Sequence, residues 1–581
     1  LEQMYDTENI EEAGYEVTTT LDWELQQQAQ TVVQEELEKV KDFAISNGAV
    51  LAMNPTDGQI LAMVGSRDYN DKEIGGEYNV VVDGLRQPGS SIKPLTYLAL
   101  LRKGYTPASM LADVPTTFQG NDTDKPYEPG NYDGKFRGPV NLRNSLGSSL
   151  NIPAVKALAL VGVPEFLQTA ELFGLKTLAP TSENLKRFGL AVTLGGAEVH
   201  MIDIVTAYGA FANGGTKIEP TPILKVKDRT GRTLFEHKPV RGARVMTEGE
   251  AFLINNMLSD NNARSIAFGT RSLLNMGDGV AVKTGTTNDQ RDNWAIGWSK
   301  DIIVGAWVGN NDNTSMKRVA SGVTGATPIW RRSLQAALDR QQIKPAAWAV
   351  PSDVEQIEVD VISGYPAHDE FPKRSEYVIR GTQPSLPDPI HAKLKLCRGE
   401  NKLANDARVA AGDFDEKEFI ILKENDPVNQ MGKNLWQVGI DNWLASQTDE
   451  KYKPPTEMCG DQQEVFVRLK RPENEKSYNE EDMEVEIEAD SGKEIDRIEL
   501  WVDGGLRETI RSYRYSGKIR LDKGQHELYA KAFTKEGKEA NSGTVKIGTG
   551  GADWKKPEAT PTPAPTPTPT PSPTPAPTVL P

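Results

Sequence analysis

Hydrophobic and polar positions change texture several times along the chain. Residues 1–15 are acidic and show no period. Tyr15 to Thr20 alternates as a strand does, and Trp23 to Val40 carries the three-to-four spacing of a helix, with Asp22 placed to cap it. GAVLAM (48–53) and QILAMV (59–64), separated by Asn54-Pro-Thr-Asp-Gly58, predict two strands joined by a tight turn. TYLALL (96–101) predicts an apolar helix that ends at Arg102, Lys103 and Gly104. From about 140 to 275 the spacing predicts mostly helix, punctuated at Gly195-Gly196 and Gly214-Gly215. Strand patterns return at Ala281–Lys283, Asn293–Trp298 and Ile302–Val308. Strands at both ends with helices between predict a mixed α/β (α+β) domain over 45–340: an antiparallel sheet with a helical subdomain against one face, preceded by a linker segment over 1–44.

Beyond Arg340 the pattern weakens. Residues 341–462 read as an irregular, proline-containing extension. From 463 to 548 short alternating runs return: EVFVRL, MEVEIEA, RIELWVDG, LRETIRSY, SGKIRL, HELYAKAF and GTVKIG. Such strands between turn residues predict an Ig-like β-sandwich, expected to act as a spacer or adhesion module. Residues 549–581 end in an uncharged Pro/Thr repeat, expected to be extended and unpacked.

Charge and cysteine content narrow the partners. A net charge of −16 over 581 residues argues against a nucleic-acid surface or a polybasic membrane patch. No apolar run is long enough for a membrane span. The chain opens at Leu1 within polar sequence, which reads as a fragment or processed form. Cys397 and Cys459, the 2 cysteines, have no metal-ligand spacing; they fit one disulfide of an exported protein, which we favour, or two free thiols.

Three short motifs carry candidate chemistry. In Gln87-Pro-Gly-Ser90-Ser-Ile-Lys93-Pro94, the serine stands at a helix start, where free N–H groups and the dipole favour a developing alkoxide. Lys93 lies one turn later on the same face; a desolvated lysine beside a hydroxyl can act as its base. Alone, this S-x-x-K describes equally well a capping serine followed by a solvated lysine. In Ser149-Leu-Asn151 a hydroxyl that can pass a proton and an amide that can bind a carbonyl share one side of a turn. In Lys283-Thr284-Gly285-Thr286 a strand offers a cation for a carboxylate, two hydroxyl donors and a glycine that permits close approach. An edge strand here could also pair with a peptide-like substrate. No histidine neighbours Ser90 in sequence, so serine–lysine chemistry is the better reading.

Together and in this order, the motifs resemble the transpeptidase domain of class A penicillin-binding proteins. The likeness extends to NPTDGQILAMVGSRDYN, YEPGNYDGKFRGPVNLRNSL and KTGTTNDQRDNWAIGW, and spans about residues 14–335. The resemblance implies the fold shared by serine β-lactamases and penicillin-binding transpeptidases. It also implies a peptidoglycan D,D-transpeptidase that cross-links stem peptides through a serine acyl-enzyme and is covalently inhibited by penicillin, with a possible carboxypeptidase side activity. Ser90 would attack the D-Ala-D-Ala carbonyl and Lys93 would be its base. Ser149 and Lys283 would relay a proton to the leaving amine, and Asn151 would hold the substrate amide. Thr284 and Thr286 would bind the terminal carboxylate with Lys283, beside Gly285. Backbone N–H groups of Ser90 and Thr286 would form the oxyanion hole. No metal or organic cofactor is implied. Expected partners are stem peptides, β-lactams and the cell-wall synthesis machinery, with no nucleic acid. The expected location is the extracytoplasmic face of the bacterial membrane, attached only through a segment absent from this chain. The family's glycosyltransferase domain has no counterpart in residues 1–15, so truncation is the favoured reading. Two rivals are a serine β-lactamase, whose deacylating carboxylate would have to come from a residue such as Glu165, Glu171 or Glu183, and a non-catalytic β-lactam sensor or wall-binding protein.

Overall fold

In the computed structural model the described residues are 1–5, 13–120, 125–239, 241–317, 324–369, 371–428, 432–459, 465–491 and 494–555. The Pro/Thr repeat lies outside them.

Helix α1 (Trp23–Lys39) is capped by Asp22, whose side chain accepts from the Leu25 N–H. Strands β1 (Asn47–Met53) and β2 (Ile60–Val64) form the expected hairpin. Helix α2 (Lys93–Arg102) follows a 3-10 turn at Gly89–Ile92, and Pro94 is accommodated in its first turn, where its missing N–H costs little. Next come α3 (Asn151–Val161), α4 (Met201–Ala212) and α5 (Glu248–Ser259). The chain then returns to sheet as β3 (Ala281–Thr286), β4 (Asp292–Trp298) and β5 (Ile303–Gly309), and closes with α6 (Ala326–Arg340).

These strands form one antiparallel sheet in the order β3-β4-β5-β1-β2, with β3 at the edge. Strands β1, β4 and β5 are buried at every position, as expected of strands covered on both faces. Alternation sorts their side chains: Ala49, Leu51, Met53, Trp294 and Ile296 face the core built with α2, α4 and α5, whereas Val50, Ala52, Ala295 and Val304 face that of α1 and α6. Helices thus cover both faces, where the sequence pattern pointed to one. The reading of 140–275 as mostly helical needs a further correction. Strands Ile223–Lys227 and Thr233–Glu236 pair with each other, and the first also pairs with Glu16–Thr19. Gly214 and Gly215, at φ 55° and 97°, end the preceding helix and turn the chain into a short strand, Thr216–Lys217, that pairs with Ala243–Arg244.

The expected irregular extension contains regular elements. Strands β6 (Val354–Asp360) and β7 (Lys373–Ile379) form an antiparallel hairpin, and a helix spans Leu435–Ser446. These belong to a compact unit made of Leu1–His391 and Ile420–Tyr452. A second unit combines Ala392–Phe419 with the chain from Lys453 onward. Within it, Cys397 and Cys459 form a disulfide, so of the two thiol readings the structure has the bonded one. Seven runs read from the sequence fall on strands between Val465 and Thr549. One sheet holds Val465–Arg471, Asp482–Ser491 and Arg514–Arg520; the other is built mainly from Ile495–Val502, Gly505–Ile510, Gly524–Thr534 and Val545–Thr549. Val467, Val485, Ile487, Ile498, Leu500 and Leu528 fill the core they share.

Candidate active site

Backbones of three segments meet where Ser90 stands. A Cβ built on Gly89 (φ 54°) would lie 2.7 Å from the Thr286 backbone, and one on Gly195 would lie 2.1 Å from Gly89 N. A Cβ on Gly285 would lie 2.2 Å from the Pro88 carbonyl oxygen. Only glycine at these positions lets the serine turn, the 189–195 segment and edge strand β3 touch main chain to main chain. The turn is fixed further by Ser91 Oγ, which donates to Pro88 O at 2.6 Å, by Trp294 Nε1, which donates to Gln87 O at 2.8 Å, and by the Tyr208 hydroxyl, which donates to Ser91 O.

A cleft of about 530 Å³ opens over this junction, lined among others by Ser90, Ser149, Asn151, Thr284 and Thr286. Ser90 is half-buried, and among the described residues its hydroxyl has no hydrogen-bond partner. Lys93, fully buried, donates from Nζ to the carbonyls of Ser149 (2.7 Å) and Leu150 (3.1 Å) and to Asn151 Oδ1 (2.7 Å). These three acceptors occupy the amine, and none of them is Ser90. Burial, and then the charge of Lys283, pull the Lys93 ammonium well below the usual lysine range, while Asp113 pushes it the other way. Lys283 Nζ donates to Ser149 Oγ at 2.8 Å and to Thr284 O at 2.7 Å. Its ammonium is brought down to about 7 by burial alone. Ser149 adopts φ 58°, a left-handed conformation that turns the chain sharply before α3. Gly285 contributes by its lack of a side chain and does not line the cleft.

Three residues without an assigned role in the sequence reading complete the constellation. Asn131, within the YEPGNYDGKFRG stretch, accepts the Asn151 N–H on Oδ1 (2.8 Å) and donates from Nδ2 to Asp113 Oδ1 (2.7 Å). Asp113 is buried, and burial raises its carboxyl despite the bonds from Asn131 and Arg137. The chain Asp113–Asn131–Asn151–Lys93 thereby fixes the amide and the amine from behind. Asn293 donates to Thr286 Oγ1 at 3.0 Å and holds that hydroxyl. The sequence signal for these links was the position of Asn131 and Asn293 in stretches of family-like sequence; the pairings themselves leave no local pattern. A larger cleft of about 910 Å³, lined by Thr20, Asp22, Lys300 and Arg340 among others, contains none of the residues that the three motifs supplied.

A serine at a helix start, two buried lysines and an edge strand behind an open cleft define a serine acyltransferase of the acyl-enzyme type. Residues 48–332 match the family described as penicillin binding protein transpeptidase domain, and over those residues the chain carries such a domain. Penicillin-binding protein 2D of Bacillus subtilis is 31% identical over 385 residues, covering 65% of this chain and 53% of the relative. Penicillin-binding protein 1A of Neisseria flavescens is 31% identical over 321 residues, covering 54% and 38% respectively. This chain therefore spans about half, or less, of the curated relatives it matches. Among solved structures, penicillin-binding protein 1A of Haemophilus influenzae superposes with a TM-score of 0.58 at 23% identity, over 66% of this chain and 75% of that one. The PonA1 protein of Mycobacterium tuberculosis in complex with penicillin V gives a TM-score of 0.51 at 21% identity, over 64% and 96%. Both likenesses concern the fold.

Proposed function

We propose that this chain is a peptidoglycan D,D-transpeptidase whose catalytic body runs from about residue 45 to 340, acting at the extracytoplasmic face of the membrane. The observation that carries the reading is the meeting of Ser90, Ser149, Lys283 and Lys93 around one cleft behind an edge strand. Ser90 attacks the D-Ala-D-Ala carbonyl. Its proton passes to Lys93, which burial keeps poised to accept one. For that step the neutral amine keeps two N–H donors and turns its lone pair, released from one of its three acceptors, toward Ser90. The oxyanion is received by the backbone N–H groups of Ser90 and Thr286, a term of several kcal/mol in acyl transfer, about 3–4 for one donor. Lys283 and Ser149 carry a proton to the departing D-Ala. Thr284, Thr286 and Lys283 bind the terminal carboxylate, and Asn151 holds the substrate amide. The amine of a second stem peptide then resolves the acyl-enzyme; water in its place gives carboxypeptidase activity. β-Lactams enter as mimics of the first substrate; the structural neighbour PonA1 is known in complex with penicillin V.

A β-lactamase would need a free carboxylate beside the acyl group. Glu165, Glu171 and Glu183 do not line the cleft, and Glu165 is paired with Lys103 at 2.5 Å. Asp133 does line it, but Arg137 grips both of its oxygens, at 3.1 and 2.5 Å. Time-resolved intact mass spectrometry with benzylpenicillin tests the proposal. A long-lived adduct on the parent chain and none on folded Ser90→Ala is expected. An adduct that turns over rapidly to penicilloate means a β-lactamase, and persistent labelling of folded Ser90→Ala removes Ser90 as nucleophile.

A further inference from the structure

Outside the catalytic cleft the first unit buries a second group of titratable side chains, at the end of the β6–β7 hairpin. One ligand atom each from Asp360, Asp388 and His391 lie within 4.8 Å of one another. All three side chains are about 1% exposed. Two buried carboxylates would ordinarily be matched by lysine or arginine, because an unneutralised buried charge is costly. Here the partners are imidazoles: His391 Nε2 lies 3.2 Å from Asp360 Oδ1, and His368 Nε2 lies 3.2 Å from Asp388 Oδ2. Backbone N–H groups of Ile362 and Ser363 aim Asp360 Oδ1, and those of Ile390 and His391 aim Asp388 Oδ1. Asp360 Oδ2 is different. It is fully buried and has no hydrogen-bond partner, in a carboxylate otherwise well satisfied.

We propose that Asp360, Asp388 and His391 form a binding site for one divalent transition-metal ion of the Zn²⁺ type. Two carboxylates and an imidazole are a donor set suited to zinc and its neighbours; calcium prefers a larger, all-oxygen shell. The orphaned Asp360 oxygen gains a partner, and the negative charge of the pair is balanced. His368, about one-third exposed, holds Asp388 from the solvent side, as outer partners of metal ligands do. Ring stacking of Phe371 on His391, with centroids 4.2 Å apart, keeps the imidazole in place. The ion would bind strand β6 to the 388–391 segment. It would thereby stabilise the hairpin whose other strand carries Glu376, the buried partner of Arg143. This metal is structural and takes no part in the acyl transfer proposed above.

The test uses the tag-free chain, stripped with EDTA and titrated with zinc sulfate by calorimetry, with bound metal counted by elemental analysis. One zinc per chain is expected, with a thermal midpoint that rises with zinc concentration. X-ray absorption at the zinc edge should show mixed oxygen and nitrogen donors including imidazole. Asp360→Asn and His391→Gln should each weaken zinc binding by at least about tenfold, while His237→Gln, whose residue is remote from the group in sequence and contacts, should not. Absence of stoichiometric zinc on the parent chain overturns the proposal. So does zinc that survives both substitutions in folded protein. Should the variants fail to fold, the stoichiometry and the imidazole signature of the parent chain decide alone. Penicillin labelling is read separately, so the two proposals fail independently.

Discussion

The first compact unit and the β-sandwich use charge in different ways. In the first, Arg143 is 9% exposed and Glu376 1%, joined through Nε at 2.9 and 3.2 Å, and Lys93, Lys156 and Lys283 are buried outright. In the β-sandwich the pairs stand in water: Arg471 and Glu484, 2.7 Å apart, are 59% and 53% exposed. The sandwich buries instead alternate residues of strands such as Asp482–Ser491, Met483, Val485 and Ile487 among them. Burying charge costs free energy unless every group is matched, so a fold that does so repeatedly is holding those groups for a purpose other than stability. For Lys93 and Lys283 the proposed function supplies that purpose, a base and a cation held beside Ser90; the sandwich is organised chiefly by alternation.

Breaking the buried pair should have the largest effect. Glu376 meets Arg143 and, at 2.9 Å, Arg374, while Arg143 also reaches Asp260 at 3.3 Å. Glu376→Ala removes the buried carboxylate from two guanidinium groups, leaving Arg143 only the more distant Asp260 as its counter-charge, and the expected loss is about 3–5 kcal/mol. Urea unfolding followed by tryptophan fluorescence measures it. A loss under about 1 kcal/mol would mean that water reaches the pair and that the contrast between units is overstated.

Lys283 sharpens the comparison with a change of sign. In the folded chain it titrates at about 7, because burial disfavours its charge; in the unfolded chain it titrates near the ordinary value of about 10.4. Between those values the unfolded state holds more protons, so stability rises with pH from about 7 to about 10, and the full cost of the buried charge applies below 7. Lys283→Met should therefore stabilise the folded unit below neutral pH by about 1–4 kcal/mol, with that gain shrinking as pH rises toward 10, while β-lactam acylation collapses. In the parent chain, acylation should fall above about pH 7 as the carboxylate-binding cation discharges. Thermal midpoints and acylation rates across pH read both effects. A variant less stable than the parent at pH 6 contradicts the buried-cation account.

Legibility in sequence divides along the same line. Ser90 and Lys93 share one helix turn, and Lys283 to Thr286 share one strand, so their spacing alone suggested one face. Nothing local says that Asn131 bridges Asp113 to Asn151, that Gly195 must touch Gly89, or that Glu376 answers Arg143 across 233 residues. Those contacts are decided by packing, and only the resemblance hinted that YEPGNYDG mattered. The strands at Ile223–Lys227 and Thr233–Glu236 were missed for a related reason: half-exposed on both faces, they lack the alternation that betrays the sandwich strands. In the sandwich, one covered face per strand writes the fold directly into every second residue.

The exposed pair should give the smallest effect. Arg471 and Glu484 meet diagonally across neighbouring strands, Arg471 standing opposite Glu486, and each long side chain loses rotamer freedom to gain a screened attraction. Arg471→Ala is expected to change sandwich stability by less than about 1 kcal/mol, with what difference there is fading at high salt. The same sheet supplies its own yardstick, since removing a buried aliphatic chain such as Ile487 typically costs about 2–5 kcal/mol. Hydrogen exchange of the Val465–Arg471 and Asp482–Ser491 amides in the full chain reads the local effect. Exchange there accelerated as strongly by Arg471→Ala as by Ile487→Ala would show that surface charge, and not alternation, holds the sandwich, and would erase the distinction between the two units.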